Sequence, residues 1–183
     1  MPRVFLSYQA DCPKTAVQVR HLHREINSVE SDYEKILREL TTLPPERSLL
    51  IPIEVHALHK RTENVLVLLL DFFRIAVDGA RRKGDTTHRY HAAILEALRH
   101  PDNPLRHVLG AGQAQDILWS WKRWRNKWVK RKDDAQMEAA EDMKRVGLEM
   151  PVLLERLREA VSVANGIARR GEQVVRLDGV RSE

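Results

Sequence analysis

The chain has 183 residues, of which 43% are hydrophobic and 31% are charged. This length suits one domain of ordinary size, and this balance is typical of a soluble globular protein and argues against wholesale disorder. The single cysteine, Cys12, excludes an internal disulfide, and no apolar run reaches the roughly 20 residues that a membrane span needs. The sequence predicts an intracellular, cytoplasmic domain with no secretory signal and no transmembrane segment.

The net charge of +5 arises in one short segment of the chain. Between Lys122 and Lys132 there are seven lysines and arginines and no acidic residue, which leaves 24 basic against 26 acidic residues elsewhere. The surface outside this segment is therefore expected to be mixed in sign. Any anionic partner is expected to dock on the segment itself.

The first helix is predicted from apolar residues that alternate in steps of three and four from Val19 to Leu40. This spacing places them on one face of a helix. The segment "LPPER" is expected to end the helix, because proline lacks a backbone donor and disfavours helical geometry in the residue before it.

A second helix is expected to begin after Pro52 and to carry an apolar stripe as far as Ala80, before "RRKGD" ends it. Its middle is apolar nearly all round, which is typical of a central helix that several neighbours cover. Asp71 and Arg74 interrupt this apolar run at a spacing of three residues. We expect them to be buried and to satisfy each other, or to line a partner surface.

The second half of the chain predicts a helix at about 86–100, a short turn with Asn103 as its cap and Pro104 as its first helical position, one long helix from about 113 to 149, and a last helix at about 152–170. Pro151 is expected to separate the last two. The fold class is thus an all-α bundle of five to six helices, one of them long, charged and rich in tryptophan. Residues 1–14 and 171–183 are predicted tails of a bundle domain at 15–170.

All four tryptophans lie in the predicted long helix. On a helix that advances about 100° per residue, Trp121, Trp124 and Trp128 share one apolar stripe and are expected to be core anchors. Trp119 lies nearly opposite, one turn from Arg123, and we expect it to be the most exposed, with a cation–π contact to Arg123 available. The candidate residues for binding a partner or an anion are Trp119, Lys122, Arg123, Arg125, Lys127, Lys130, Arg131 and Lys132. The alternative is that these basic residues form a solvated face, with ion pairs at a spacing of four residues.

Two His-x-x-His pairs, "HALH" and "HRYH", have a spacing that can bind zinc. A closed zinc site needs about four ligands, and the sequence has neither a second cysteine nor a metalloprotease motif. We therefore predict no metal and no cofactor. No motif assigns a catalytic residue, and no pattern ties Cys12 to a base.

The stretch "TENVLVLLLDFFRIAVDGARRK", followed by "YHAAILEALRHPDNPL" and a long charged helix, resembles the helical amino-terminal domains of fungal NACHT-type (STAND) receptors. The resemblance covers roughly residues 30–150 and depends on the order of elements. It implies a non-enzymatic signalling module that acts through helix contacts, and it carries over no catalytic residue.

The sequence thus favours a non-enzymatic protein-interaction or signalling module that can self-associate. Two alternatives stay open. One is a nucleic-acid-binding protein, nucleocapsid-like or RNA-binding, that uses the basic tryptophan-rich helix. The other is an oligomerising bundle that docks on anionic membranes.

Overall fold

The computed structural model describes residues 12–42, 51–77, 87–130 and 135–180, with side chains at 16–39, 42, 53–77, 90–126 and 144–170. Within these ranges the chain forms five helices and no strand. This confirms the predicted all-α bundle. The helices are α1 (Cys12–Thr42), α2 (Ile51–Phe72), α3 (Thr87–Arg99), α4 (Gly112–Lys130) and α5 (Ala135–Val180).

The main core lies among α1, α2 and α5, which all pack on one another. The α1 stripe predicted from the sequence is buried, with exposures between 0 and 7% from Val19 to Ile36. Surface pairs join α1 to α2: Lys35 with Glu54 at 2.8 Å and Asp32 with Arg61 at 3.0 Å. These pairs show that α1 and α2 run antiparallel. Exposed pairs contribute little, so the buried apolar side chains supply most of the stability.

Pro151 lies inside α5, and the prediction that it ends a helix is wrong. A proline in a helix leaves the carbonyl four residues earlier without its backbone donor, and here that carbonyl belongs to Gly147. The Tyr33 hydroxyl of α1 donates a hydrogen bond to the Gly147 oxygen at 3.0 Å and replaces the missing donor. Burial raises the pKa of Tyr33, which keeps the proton on the hydroxyl. Helix α5 therefore continues through the proline to Val180.

The predicted long helix from 113 to 149 is also wrong, because α4 ends at Lys130 and α5 is a separate helix that packs against it. In one straight helix, Trp121 and Glu149 would be about 42 Å apart, at 1.5 Å per residue. Instead the Trp121 Nε1 donates to Glu149 Oε2 at 2.6 Å. The two helices fold back on each other, and this arrangement places Val146 beside Trp121 and gives the indole an acceptor.

Helix α2 ends at Phe72, earlier than the apolar stripe predicted. Arg74 takes the left-handed conformation (φ 54°), its amide donates to the Asp71 oxygen, and the Ile75 amide donates to the Leu70 oxygen. These two bonds form a Schellman motif, which caps the last carbonyls of the helix. Asp71 and Arg74 are exposed, so the prediction that they are buried is wrong.

The connection between α3 and α4 is built around Asn103 and Gly110. The Asn103 side chain, 5% exposed, donates to the Ala97 oxygen at 2.7 Å and accepts from the Leu105 amide at 2.8 Å, which confirms the predicted cap. At Gly110 a Cβ would lie 2.0 Å from the Leu98 carbonyl oxygen, so only glycine fits there. This connection fixes where α4 begins.

We expect Tyr33→Phe to lower the free energy of unfolding by about 1–3 kcal/mol, because it leaves the Gly147 carbonyl without a donor. Pro151→Ala restores a backbone N–H at the position that this carbonyl needs. In the Pro151→Ala background, Tyr33→Phe should therefore cost clearly less. Chemical denaturation of the wild type, both single variants and the double variant measures this coupling. An equal cost in both backgrounds would contradict the role assigned to Tyr33.

Candidate functional site

Three helices bring Glu63, His91 and Arg125 together in a largely buried polar cluster, with side chains only 11 to 17% exposed. Glu63 Oε1 contacts His91 Nδ1, and Arg125 Nη1 contacts His91 Nε2. Arg125 Nη1 also lies 3.4 Å from Glu63 Oε2. The cluster fixes α3 and α4 against α2, because each helix supplies one of its members.

The contacts of His91 require a neutral imidazole. Its Nδ1–H donates to the Glu63 carboxylate, while its Nε2 accepts from the Arg125 guanidinium, which has no lone pair to offer. Burial, together with the positive charges of Arg125 and Lys122, lowers the pKa of His91 to about 4. The guanidinium and the carboxylate are therefore bridged by an uncharged ring.

His59 of α2 lies next to this cluster, between two tryptophans of α4. Its ring stacks on Trp121 with centroids 4.0 Å apart and meets the edge of Trp124 at 5.0 Å. Neither ring nitrogen has a hydrogen-bond partner among the described residues. Burial, and then the nearby His56 and Arg125, lower the pKa of His59 to about 3. The ring is neutral at physiological pH and offers one donor and one acceptor.

A cavity of about 50 Å³ separates α2, α3 and α4, which is room for roughly three to five water-sized groups. Its apolar wall is formed by Leu66, Ile94, Leu95, Leu118 and Trp121. Its polar lining comprises His59, Thr62, Glu63, His91, Lys122 and Arg125. The Nε of Arg125 is buried and has no hydrogen-bond partner among the described residues. The cavity therefore has an apolar wall, and its lining residues include hydrogen-bond donors that have no acceptor in the described part of the protein.

His59 also lines a smaller space of about 10 Å³, which lies against α5. Here Glu149 accepts hydrogen bonds from Trp121 at 2.6 Å and from the Arg145 Nε at 2.7 Å. Arg145 also contacts the Ser120 hydroxyl. Trp121 is thus held by α5 through its indole nitrogen and also lines the larger cavity.

The structure separates the basic residues that the sequence grouped together. Arg125 belongs to the buried cluster, and Lys122 lines the cavity with its Nζ 4.4 Å from the centre of the Trp119 ring. Arg123 is exposed. The cation that lies over the Trp119 ring is therefore Lys122, whereas the sequence suggested Arg123. The side chains of Lys127 and Lys130, and the whole of Arg131 and Lys132, lie outside the described residues.

The expected ranking of the tryptophans is borne out at one position. Trp121 is buried at 6% exposure, as predicted. Trp124 and Trp119 are both half-buried and pack against the core, so Trp119 is less exposed than its place on the helix suggested. The side chain of Trp128 lies outside the described residues. Helix α4 packs against both α3 and α5, and Trp119 is one of the half-buried residues that contact the core.

The described residues contain no group of three or more His, Cys, Asp or Glu side chains that is arranged to hold a metal ion. Of "HALH", His59 turns into the tryptophan pair, while His56 is half-buried and its pKa is lowered, mainly by burial. Of "HRYH", His91 bonds to Glu63 and Arg125, and the His88 side chain lies outside the described residues. Of the imidazole rings in the two pairs, His59 thus packs against tryptophans and His91 belongs to the polar cluster.

Sequence reasoning did not single out Glu63, or the roles of His59 and His91. His59 lies four residues after Val55 and three before Thr62, so it shares a helical face with both, and this spacing was the available signal. Glu63 and His91 are far apart in sequence, and no local pattern predicts their contact.

No family model, curated protein or solved structure matches the chain. No described helix combines the length and the apolar character needed to cross a membrane. The resemblance to NACHT-type receptors stays a prediction.

We expect the buried His59 to make the fold sensitive to acid. The pKa of His59 is about 3 in the folded chain and near 6.5 in the unfolded chain. Stability is therefore at a plateau above about pH 6.5 and falls below it, because the unfolded state takes up a proton that the folded state refuses. The His59 contribution is at most about 1.4 kcal/mol per pH unit.

Denaturation between pH 7 and pH 4 measures this dependence. His59→Phe keeps an aromatic ring between the tryptophans and should give a shallower fall than the wild type. The matched control is His100→Phe, since the His100 ring is 59% exposed. If His59→Phe and the wild type lose stability in parallel, His59 is not the source of the acid sensitivity.

Proposed function

We propose that the chain is a non-enzymatic helical interaction module that self-associates through one exposed stripe of α5. The stripe comprises Lys144, Leu148, Pro151 and Glu155, all exposed and spaced by four, three and four residues. This spacing places them on one face of the helix. The observation that carries the proposal is Leu148, a large aliphatic side chain that is 69% exposed.

The turn that bears Leu148 is held from two sides. On one side, the Gly147 carbonyl accepts from Tyr33 of α1 at 3.0 Å. On the other, Glu149 accepts from Trp121 of α4 at 2.6 Å. Leu148 therefore projects from an ordered backbone, and less conformational entropy is lost when it contacts a partner.

The charges on the stripe favour a second copy of the chain as the partner. If two α5 helices pair antiparallel about a twofold axis between Glu149 and Met150, Leu148 of one copy meets Pro151 of the other. The same axis places Lys144 opposite Glu155, twice in each dimer. The stripe is thus complementary to itself, which a twofold interface requires. A non-enzymatic module that acts through helix contacts is also what the resemblance to NACHT-type receptors implies.

The test is sedimentation equilibrium over a range of protein concentrations. We expect the wild type to dimerise and Leu148→Asp to weaken dimerisation on the order of tenfold or more, because it places two desolvated carboxylates at the centre of the contact. The matched control is Ile53→Asp, since Ile53 is 57% exposed but lies on α2. It should leave the dimer unchanged.

A charge exchange tests the antiparallel register directly. Lys144→Glu and Glu155→Lys should each weaken the dimer, because each places like charges opposite one another. The double variant restores opposite charges and should recover most of the affinity. A monomeric wild type, or a double variant weaker than both single variants, would overturn the proposal.

The same samples distinguish the alternatives. A mass that falls after nuclease treatment would favour nucleic-acid binding, and sedimentation with anionic vesicles would favour the membrane. Within the described part of α4, Arg125 is already bonded to Glu63 and His91, which leaves less of its charge for phosphate.

A further inference from the structure

We propose that the cavity between α2, α3 and α4 binds a small aliphatic carboxylate, with the carboxylate against Arg125 and His59 and the aliphatic tail against the leucines of the wall. This site is distinct from the α5 stripe, and the inference does not depend on self-association.

Unused donors define the polar end of the site. The Arg125 Nε–H is buried and unpartnered among the described residues, and so are both ring nitrogens of His59. His59 belongs to the lining of the cavity and is only 8% exposed. Buried polar groups are normally hydrogen-bonded, and each that is not destabilises the fold by about 1–3 kcal/mol. A ligand with acceptor oxygens that entered the cavity would satisfy the Arg125 Nε–H and the N–H of His59 together once the guanidinium and the imidazole rotate towards it.

The charges of the lining favour a monoanion. Lys122 and Arg125 are cations, and Glu63 is the one carboxylate among the lining residues. The Glu63 oxygens already contact His91 and Arg125, so the Glu63 carboxylate is engaged by protein groups and repels a bound anion less. The lining thus has one positive charge in excess, which a single carboxylate balances. A neutral ligand of the same shape would leave that charge uncompensated in a partly desolvated site.

The size and the wall of the cavity favour a short carbon chain. The volume of about 50 Å³ accommodates roughly three to five water-sized groups. Propionate, with five heavy atoms, matches this number. Leu66, Ile94 and Leu118 line the cavity and offer its ethyl group an apolar surface. An inorganic anion of similar size would leave this surface unused.

The experiment titrates the purified protein with sodium propionate while the indole N–H signals are followed by NMR, at an ionic strength held constant with sodium chloride. We expect saturable shifts that are largest for Trp121, which lines the cavity, with a dissociation constant on the order of 1 mM for so small a ligand. Propionamide, the neutral isostere, should bind at least roughly tenfold more weakly, because it lacks the charge that Arg125 and Lys122 balance.

Variants locate the site. Arg125→Gln should weaken propionate binding roughly tenfold or more, through loss of a charge-assisted hydrogen bond. Leu118→Phe, which fills the apolar end, should abolish binding. Both positions are buried or half-buried, so circular dichroism establishes that each variant folds. Lys122→Gln and its neighbour Arg123→Gln form a matched pair that does not disturb the core. Lys122→Gln should weaken binding about threefold, as for one partly exposed charge, while Arg123→Gln should not.

Three results would overturn the proposal. The first is that propionate, propionamide and chloride shift the signals equally. The second is that Lys122→Gln and Arg123→Gln change the affinity for propionate alike. The third is that a folded Leu118→Phe variant binds propionate with wild-type affinity. If Arg125→Gln or Leu118→Phe fails to fold, the comparison of Lys122→Gln with Arg123→Gln and that of propionate with propionamide still test the proposal.

Discussion

The hydrogen bond from the Tyr33 hydroxyl to the Gly147 carbonyl allows α5 to be one helix, and the arrangement of the other helices depends on that continuity. Without this donor, the proline at position 151 would leave a half-buried carbonyl unsatisfied, and the helix would be expected to kink or end there. With it, Met150 and Leu153, on either side of the proline, both reach the core at 0% exposure. The same turn directs Glu149 towards Trp121 of α4 and Leu148 towards solvent. One hydroxyl on α1 thus links the main core, the wall of the cavity and the exposed stripe.

The sequence predicted the fold class, and it predicted α1 and α3 closely, because their apolar residues follow the helical period and their ends carry local signals. It failed at Pro151, where the local rule that proline ends a helix was overruled by a side chain 114 residues away. It failed again at the end of α2, since the apolar stripe continues past the Schellman cap formed at Arg74. It also merged α4 with α5. A hydrophobic stripe does not indicate that a chain reverses, because two antiparallel helices present the same periodicity as one long helix.

For the site, the sequence singled out the right helix but assigned the wrong environment to some of its side chains. Helical spacing correctly placed Trp121 in the core, because burial follows from the face that a residue occupies. The same reasoning placed the basic residues in solvent, and at Arg125 this failed because Glu63 on α2 and His91 on α3 receive the guanidinium. Pairings between helices are set by how the helices pack, and neither composition nor local spacing encodes them.

Arg125 also explains why a count of charges overstates the basic surface of α4. A guanidinium that is largely buried beside a carboxylate contributes little field at the surface, because its charge is balanced within a few ångströms. The bridging histidine strengthens this effect, since burial keeps His91 neutral and able to accept from Arg125. Lys122, in turn, holds its ammonium over the Trp119 ring, where the indole and the cation cover one another. Two of the cations and one of the aromatic rings that a nucleic-acid surface would use are thereby engaged within the protein. In the described part of α4, the charge of Arg125 therefore serves to join helices, and Arg123 is the member of the group that the structure leaves exposed to solvent.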